Sequence, residues 1–224
     1  MLLLSGPTQH VDTVDSVMFY IVGIGVVLLL GITATMIYFV FKYNRKKGHK
    51  PVDIHGSILL ETIWIAIPTL LVLSMFYYGY MGYRELRKVP KDAFEIKVTG
   101  RMWSWSYEYP NGKKADTLYV PVGKSIKLTL HSMDVNHSFF IPAFRIKEDV
   151  IAGIHENYLG FKPDKVGIYQ VECAEYCGLN HSQMLSKVNV LPVSEFNSWY
   201  GEDVSKAIAE QMKKREESKK EESK

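Results

Sequence analysis

Cysteine is scarce in this chain of 224 residues, which contains only Cys173 and Cys177. Two cysteines cannot build the disulfide framework of a small secreted domain, although they could form a single disulfide. The chain has no Cys-x-x-Cys-His motif, so it carries no attachment site for a covalently bound haem. The formal net charge is only +3, and no basic patch is interleaved with aromatic residues. The sequence therefore gives no indication of nucleic-acid binding.

Charged residues are absent from an apolar segment near the N-terminus, residues 17–41. At about 1.5 Å rise per residue, a helix of this length exceeds the roughly 30 Å hydrocarbon core of a bilayer. A second apolar segment, residues 58–83, is interrupted only by Glu61 and Pro68 and has aromatic residues towards both ends. A buried core helix is the alternative, but such helices rarely stay uncharged for so long. We therefore expect residues 1–92 to form an N-terminal segment and a two-helix transmembrane hairpin.

The loop between the two predicted spans is basic and suggests an orientation. It carries five cations, Lys42, Arg45, Lys46, Lys47 and Lys50, against Asp53 alone. Short basic loops stay in the cytoplasm, whereas long domains cross the membrane largely regardless of their charge. The cations that follow the second span therefore do not decide the topology. The sequence predicts a two-pass protein of the bacterial inner (plasma) membrane, with its N-terminus and C-terminal domain on the periplasmic face.

Residues 93–193 show the period-two alternation of β-strands. Strands are predicted at residues 94–98, 119–122, 125–130, 167–172 and 185–191, and Pro110-Asn111-Gly112 marks a hairpin turn. Several short strands at this spacing predict an all-β Greek-key sandwich or barrel. After this domain, Ser194 is a plausible N-cap of a helix that reaches Lys213. The Lys/Glu/Ser-rich remainder, to residue 224, is predicted to be a disordered charged tail.

A short segment, residues 173–184, concentrates soft metal ligands. Cys173, Cys177, His181 and Met184 follow one another at spacings of four, four and three residues. Soft thiolate and thioether ligands favour copper over hard cations. A disulfide would leave the histidine and the methionine unexplained, and a mononuclear blue-copper site would leave one cysteine idle. A structural zinc site would need four nitrogen or sulfur ligands, whereas a dinuclear copper site would use both sulfurs as bridges.

A dinuclear site needs a second histidine from elsewhere in the chain. His137 lies at the start of a predicted strand beyond a turn, and two loops at one end of a β-sandwich can converge. His131 is the competing candidate, but it ends a regular predicted strand and is expected to face solvent. By spacing alone, copper is only modestly favoured over zinc.

The two spans, the β domain, the sequence VNHSF and the sequence CAEYCGLNHSQM together resemble subunit II of cytochrome c oxidase over about residues 15–193. The resemblance implies a cupredoxin fold that holds the dinuclear centre called copper A. It implies as copper ligands the bridging thiolates of Cys173 and Cys177, His137 and His181 on one copper each, the axial sulfur of Met184, and the backbone carbonyl of Glu175. It also implies that the Glu175 carboxylate helps to hold a magnesium ion at the interface with subunit I.

Residues 100–109 resemble the aromatic segment of the same family, in which the residue matching Trp103 is the electron entry point from cytochrome c. Alternating aromatic residues on a strand more often pack in a core or brace a metal loop. We expect Trp105, Tyr107 and Tyr109 to do so and Trp103 to be exposed.

The docking surface for the donor does not follow from the resemblance. Arg101 and Met102 stand where the family usually has a different pair of residues. The acidic residues Glu108, Asp116, Glu148, Asp149 and Glu172 are diluted by Arg101, Lys113, Lys114 and Lys147. The charge of the donor therefore stays open.

Glu61 has two interpretations. It lies near the cytoplasmic loop, where a carboxylate can reach the lipid headgroups, and position alone favours that role. Residues 61–64 also resemble the Glu-x-x-Trp of the family, where the glutamate lies at the mouth of a proton pathway into subunit I.

The resemblance implies that this subunit passes electrons from cytochrome c, or from a haem c subunit, to the haem–copper subunit I. Subunit I, assembled with other oxidase subunits, would reduce oxygen to water. A copper A-containing nitric oxide reductase subunit and a non-enzymatic membrane-anchored copper-binding protein stay open as alternatives. A quinol oxidase subunit II would lack the copper ligands that this sequence keeps. Nitrous oxide reductase is a soluble chain with a separate catalytic domain, which does not fit.

Overall fold

The structure is a computed structural model that describes residues 6–48, 50, 52–53, 55–154 and 157–222. The ends of the predicted domains, residues 1–5 and 223–224, and parts of the loop between the two predicted spans lie outside the described residues. The chain divides into two compact units, Val14–Tyr83 and the combination of Met1–Thr13 with Arg84–Lys224.

Two long helices supply the first unit. Helix α1 spans Gln9–Lys42 and helix α2 spans Ile58–Leu86. Both are long and apolar enough to cross a membrane, and the apolar stretch of each is left unburied by the rest of the chain. Apolar side chains that face outward along a whole helix fit a lipid environment. The predicted hairpin is therefore confirmed, and the chain is a two-pass membrane protein.

A polar contact joins the two helices within this unit. The Tyr20 hydroxyl lies 2.7 Å from the Ser74 hydroxyl, and the Ser74 hydroxyl also donates to the carbonyl of Leu71. The ring of Tyr20 packs edge-to-face on the ring of Tyr78, with the two centroids 5.4 Å apart. Such a contact satisfies polar groups that lipid cannot.

The second unit is built from two β-sheets. The strands are β1 Phe94–Arg101, β2 Ser104–Glu108, β3 Lys114–Ala115, β4 Leu118–Pro121, β5 Ile126–Ser132, β6 His137–Ile141, β7 Ile146–Val150, β8 Asn157–Phe161, β9 Gly167–Cys173 and β10 Leu185–Leu191. One sheet has the order β3-β2-β1-β5-β8 and the other the order β4-β10-β9-β6-β7. The pairs β1–β5 and β4–β10 are parallel, and the remaining pairs are antiparallel.

Alternate residues of these strands form the core between the sheets. Phe94, Ile96 and Val98 of β1 are buried, and so are Ile126 and Leu128 of β5. The period-two pattern of the sequence is thus the pattern of burial, because successive side chains of a strand point to opposite faces. The all-β, cupredoxin-like domain is confirmed.

The predicted hairpin turn joins β2 to β3. Gly112 has a φ of +81°, a left-handed conformation that glycine adopts without steric cost, and its N–H donates to the carbonyl of Tyr109. The Asn111 side chain accepts a hydrogen bond from the N–H of Lys113. These two contacts fix the turn.

The C-terminal region differs from the prediction. It contains two helices, α3 Val193–Tyr200 and α4 Val204–Glu222. Gly201, with a φ of +98°, ends α3, and Pro192 rather than Ser194 occupies the N-cap position. This corrects the expectation of one helix from Ser194 to Lys213 followed by a disordered tail.

Helix α4 continues through the charged residues for two physical reasons. Lys, Arg and Glu are good helix formers, and the helix is tied to the first strand. Gln211 bonds the backbone N–H and carbonyl of Glu95, while Arg215 donates to the Glu95 carboxylate.

Candidate metal centre

The candidate ligands meet where β6 and β9 lie side by side. His137 is the first residue of β6, Cys173 is the last residue of β9, and these antiparallel strands pair Phe139 with Cys173. The loop that follows β9 carries the other candidates. Its ends are held together by the hydrogen bond from the N–H of Cys173 to the carbonyl of Met184, 3.2 Å long. Sheet pairing and loop closure thus bring distant positions of the chain to one place.

The two cysteine sulfurs lie 3.8 Å apart, and both cysteines are free thiols. A disulfide needs a separation of about 2.05 Å, so this geometry is not that of a disulfide. Two thiolates that share a metal at about 2.3 Å each, with tetrahedral angles, stand roughly 3.8 Å apart. The sulfur separation therefore fits a shared metal ion.

Four further donor atoms surround the two sulfurs. The Nδ1 atom of His137 lies 3.8 Å from the sulfur of Cys173, and the Nδ1 atom of His181 lies 3.5 Å from the sulfur of Cys177. The Sδ atom of Met184 is 3.7 Å from the Cys177 sulfur. The Glu175 carbonyl accepts from the Cys173 thiol at 3.4 Å. Each histidine thus approaches a different cysteine, and the donor set is soft, as copper prefers.

The centre is largely shielded from water. His137 and Met184 are completely buried, and the two cysteines are nearly so. Burial, followed by the hydrogen bond with Cys173, raises the pKa of the Cys177 thiol to about 11. Such a thiol stays protonated at neutral pH unless a metal ion displaces the proton, so it is no ready nucleophile.

Asp134 orients the buried His137, a role that was not predicted from the sequence. Its Oδ1 atom lies 2.8 Å from the Nε2 atom of His137, which leaves Nδ1 directed at the sulfurs. The carboxylate also accepts from the N–H groups of Met102 and Val135, each at 2.7 Å. Burial raises the pKa of Asp134, but these three hydrogen bonds outweigh burial and hold the pKa below its usual value. The spacing Asp-x-x-His across a turn was the available signal.

The aromatic segment lies beside the centre, and one of its residues differs from the prediction. Trp105, Tyr107 and Tyr109 are buried as predicted. The ring of Trp105 packs edge-to-face on that of His137, with the two centroids 5.9 Å apart. Trp103 was expected to be exposed, but it is half-buried against the core and its Nε1 atom is buried. The cause is the metal-ligand loop, because a Cβ at Gly178 would lie 3.4 Å from the Trp103 ring.

Two family profiles match this chain. The profile of the transmembrane domain of cytochrome c oxidase subunit II matches residues 5–80, and that of its periplasmic domain matches residues 113–191. The chain belongs to the cytochrome c oxidase subunit II family.

Relatives of this oxidase subunit share about a third of its residues or somewhat fewer. The alternative cytochrome c oxidase subunit 2 of Bradyrhizobium diazoefficiens is 29% identical over 85% of this chain and 79% of its own length. The cytochrome c oxidase subunit 2 of Alkalihalophilus pseudofirmus is 32% identical over 80% of this chain and 56% of its own length. The crystal structure of the periplasmic domain of cytochrome oxidase subunit II from Bradyrhizobium japonicum is 35% identical, with a TM-score of 0.47. It aligns with 55% of this chain and 99% of its own.

Family membership makes this chain a subunit of an oxidoreductase complex whose cupredoxin-like domain binds copper. The carboxylates of two glutamates named from the sequence, Glu175 and Glu61, lie outside the ligand cluster of this subunit II. The Glu175 side chain is exposed on the ligand loop, although its carbonyl faces the sulfurs. Glu61 lies in the first turn of α2, and its Oε1 atom would be 2.9 Å from a Cβ at Gly56. The Glu61 carboxylate thus folds back over the start of its own helix.

Proposed function

We propose that this chain is the electron-entry subunit of a cytochrome c oxidase. It accepts electrons from cytochrome c, or from a haem c subunit, at a dinuclear copper A centre. It passes them to the haem–copper subunit I, which reduces oxygen to water. The observation that carries the proposal is the pair of cysteine sulfurs 3.8 Å apart with a histidine Nδ1 beside each.

The number of donors supports two metal ions rather than one. A structural zinc site uses four ligands, and a blue-copper site uses one cysteine. Here six donors converge, from Cys173, Cys177, His137, His181, Met184 and the carbonyl of Glu175. Two copper ions held by these six donors would supply one-electron redox chemistry at this position.

The protein's own contribution is to hold these donors rigidly and keep them dry. The β6–β9 ladder fixes His137 and Cys173, and the loop closure at Met184 fixes the remaining donors. Asp134 sets the ring orientation of His137. A preformed, buried ligand set lets an electron enter and leave with little rearrangement of the surrounding atoms.

Topology and neighbouring carboxylates complete the proposal. The cations of the loop between α1 and α2 support a cytoplasmic position for that loop and a periplasmic position for the copper domain. The exposed Glu175 carboxylate would help to hold magnesium at the interface with subunit I. Glu61, at the start of α2, would lie at the entrance of a proton pathway into subunit I, and half-buried Trp103 would receive the electron.

The test is spectroscopic. The full chain is purified in detergent and loaded with copper, and its metal content and electron paramagnetic resonance are measured. Two copper ions per chain and hyperfine coupling to two equivalent copper nuclei are expected. Coupling to one nucleus, or a spectroscopically silent zinc site, would contradict the dinuclear centre. Cys173→Ser should abolish the signal, whereas Leu179→Ser, at an exposed position of the same loop, should leave it intact.

The reaction of the complex is tested separately. The chain is captured with its partner subunits from the native membrane, and reduction of oxygen and of nitric oxide is measured with reduced cytochrome c as donor. Oxygen consumption that is lost in the Cys173→Ser complex supports the oxidase. Turnover of nitric oxide without oxygen reduction would assign the subunit to a nitric oxide reductase instead.

A further inference from the structure

Gly100 lies in the core at a position where the rest of its strand carries large side chains. It is on the inner face of β1, in line with Phe94, Ile96 and Val98, and it is buried as they are. Its backbone is that of an ordinary strand and does not have a positive φ, so the conformation does not itself require glycine. The reason for a glycine at this position is therefore space.

Two aromatic rings fill the space beside Gly100. A Cβ at this position would lie 2.9 Å from the Cζ3 atom of Trp105, a separation that Cβ atoms essentially never show. It would also lie 3.3 Å from the Cδ2 atom and 3.5 Å from the Cγ atom of His137, a candidate metal ligand. The missing methyl group therefore lets both rings approach the backbone of β1.

Neither the strand nor the tryptophan ring has free room to move aside. Gly100 pairs with Trp105 of β2 on one side and with Ser132 of β5 on the other. The ring of Trp105 is backed by the ring of Phe139, with the two centroids 5.1 Å apart. Because core side chains are close-packed, a methyl group at Gly100 would press on His137 both directly and through Trp105.

Contacts on several sides fix the ring of His137. Its Nε2 atom lies 2.8 Å from the Oδ1 atom of Asp134, and its centroid lies 5.9 Å from that of Trp105. Its Cδ2 edge faces Gly100, and its Nδ1 atom is 3.8 Å from the sulfur of Cys173. The hydrogen bond fixes the rotation of the ring, whereas the packing fixes its distance from β1. A displacement of the ring therefore changes where Nδ1 lies relative to the sulfurs.

We propose that Gly100 is a positioning residue for His137. The absence of a side chain sets how closely Trp105 and His137 approach β1, and thereby where His137 presents Nδ1 to the metal centre. The consequence for electron transfer rests on the proposed function. Residues that orient a metal ligand commonly change metal affinity by about 10–100-fold when they are replaced. The lower end of this range is expected, because a few tenths of an ångström would relieve the contact with His137.

The metal-free protein tests the geometry directly. The full chain is labelled with isotopes at histidine, purified in detergent, and examined by nuclear magnetic resonance. The Cδ2–H signal of His137 is assigned by its loss in His137→Gln. Gly100→Ala should shift this signal, because the ring of His137 moves relative to the ring of Trp105. The signal of His131, on the outer face of the neighbouring strand β5, should change little.

Copper loading measures the consequence for the centre. Gly100→Ala should lower copper affinity about tenfold, as measured by competition with a chelator. It should also make the hyperfine couplings to the two copper nuclei unequal, because His137 is displaced and His181 is not. A loss of stability alone would not produce unequal couplings, so this measurement separates positioning from folding.

A matched control and a rescue locate the effect. A Cβ at Gly160 in β8 would lie 2.4 Å from the Cγ2 atom of Val89, so Gly160→Ala crowds the same domain away from the candidate ligands. This variant should keep the parent His137 signal and the parent couplings. Adding Trp105→Phe to Gly100→Ala should restore both, since a phenyl ring lacks the outer indole ring that carries Cζ3.

Two results would overturn the positioning role. One is a Gly100→Ala chain that folds, as judged by circular dichroism, and keeps the parent His137 signal and copper affinity. The other is a loss of copper binding or of folding that Trp105→Phe does not relieve, which would assign Gly100 a role in stability alone. The metal-free measurement keeps the two proposals apart. If the His137 signal shifts and is restored but the parent chain forms no two-copper centre, the proposed function fails and the positioning role stands.

Discussion

The two units of this chain expose opposite kinds of surface. In the hairpin, large apolar side chains such as Leu29 and Phe76 point outward, whereas the β domain buries residues such as Phe94 and Phe139 between its sheets. The near-zero mean hydropathy of the whole chain hides this division. The same residue types stabilise one unit by transfer into lipid and the other by transfer into a packed core. The effect of a substitution on stability therefore depends on whether the surface of its unit faces lipid or water.

The largest effect should come from a cavity in the β core. Phe139 is fully buried, packs edge-to-face on Trp105 with the ring centroids 5.1 Å apart, and pairs with Cys173 across the sheet. Phe139→Ala should lower the free energy of unfolding of the β domain by about 3–5 kcal/mol, because the cavity is only partly refilled. Denaturant titration followed by tryptophan fluorescence measures the change. Phe76→Ala, at an outward-facing position of α2, should leave this transition in place; an equal shift would break the contrast between the units.

Introducing a charged side chain at an exposed position tests whether that position faces lipid or water. Leu29 lies near the middle of the apolar segment of α1 and is 64% exposed, while Val166 in the β domain is 53% exposed. Leu29→Arg should disfavour membrane insertion by about 3 kcal/mol, as an arginine at the centre of a span does. Val166→Arg should change stability by no more than about 0.5 kcal/mol. The fraction of each variant that resists alkaline extraction from membranes is the measurement. Equal retention of both variants would mean that α1 does not cross the bilayer.

In the β domain, the Asp134 carboxylate is expected to affect copper binding through its contact with His137. Asp134→Asn removes the carboxylate that fixes the ring of His137, so copper affinity should fall about 10–100-fold with little loss of fold. Competition with a copper chelator measures the affinity, and circular dichroism checks the fold. Asp116→Asn removes an exposed carboxylate and is the matched control. If both variants bind copper as the parent chain does, Asp134 does not position the ligand.

Stability of the β domain should depend on pH through Glu95. Its carboxylate pairs with Lys127 at 3.3 Å and also accepts hydrogen bonds from Thr129 and Arg215. Burial raises the pKa of Glu95, but these contacts outweigh burial and lower it. A carboxyl whose pKa is lower in the folded state binds fewer protons there than in the unfolded chain. Its contribution is therefore complete above the unfolded pKa of about 4.3 and is lost as pH falls through the folded pKa.

Glu95→Gln should accordingly lower the free energy of unfolding at neutral pH by about 1–2 kcal/mol. The difference between parent and variant should shrink as pH falls below about 4. Urea titrations across this pH range measure it, with Glu216→Gln at an exposed position of α4 as the control. A difference that stays constant down to acidic pH would show that packing of the side chain, not its charge, is responsible.

Local patterns predict much of the fold, because they report burial directly. The uncharged length of residues 17–41 predicts a span, and the alternation in residues 94–98 predicts a buried strand face. Strands β7 and β8 were not predicted. The sequence of β7, Ile-Lys-Glu-Asp-Val, has three charged residues in a row and so lacks the alternation of a strand. Its extended conformation is fixed instead by the backbone hydrogen bonds of its pairing with β6.

The features of the candidate site likewise fall into those that the local sequence predicts and those that depend on contacts between distant residues. The ligand types and spacing in residues 173–184 could be recognised from the sequence, and the structure brings His137 to them through the β6–β9 pairing. The Asp134-x-x-His137 spacing was a signal for the contact between these two residues, whereas the contact of Gly178 with Trp103 could not be predicted, because it depends on how two loops meet. The contact between α1 and α2 was likewise unpredictable, since uniformly apolar helices give no sign of which faces meet.

The smallest effect should come from the contact between Tyr20 of α1 and Ser74 of α2. Tyr20→Phe removes the hydroxyl that lies 2.7 Å from the Ser74 hydroxyl and keeps the aromatic ring. Hydrogen bonds between helices in a membrane contribute about 0.6 kcal/mol on average, since each group also finds partners when the helices are apart. The variant should therefore lower the stability of the hairpin in detergent by that order, as measured by unfolding in increasing denaturing detergent. Tyr38→Phe, at an exposed position of α1, is the control. A loss several times larger for Tyr20→Phe would mean that this polar pair, rather than apolar packing, is what holds the two helices together.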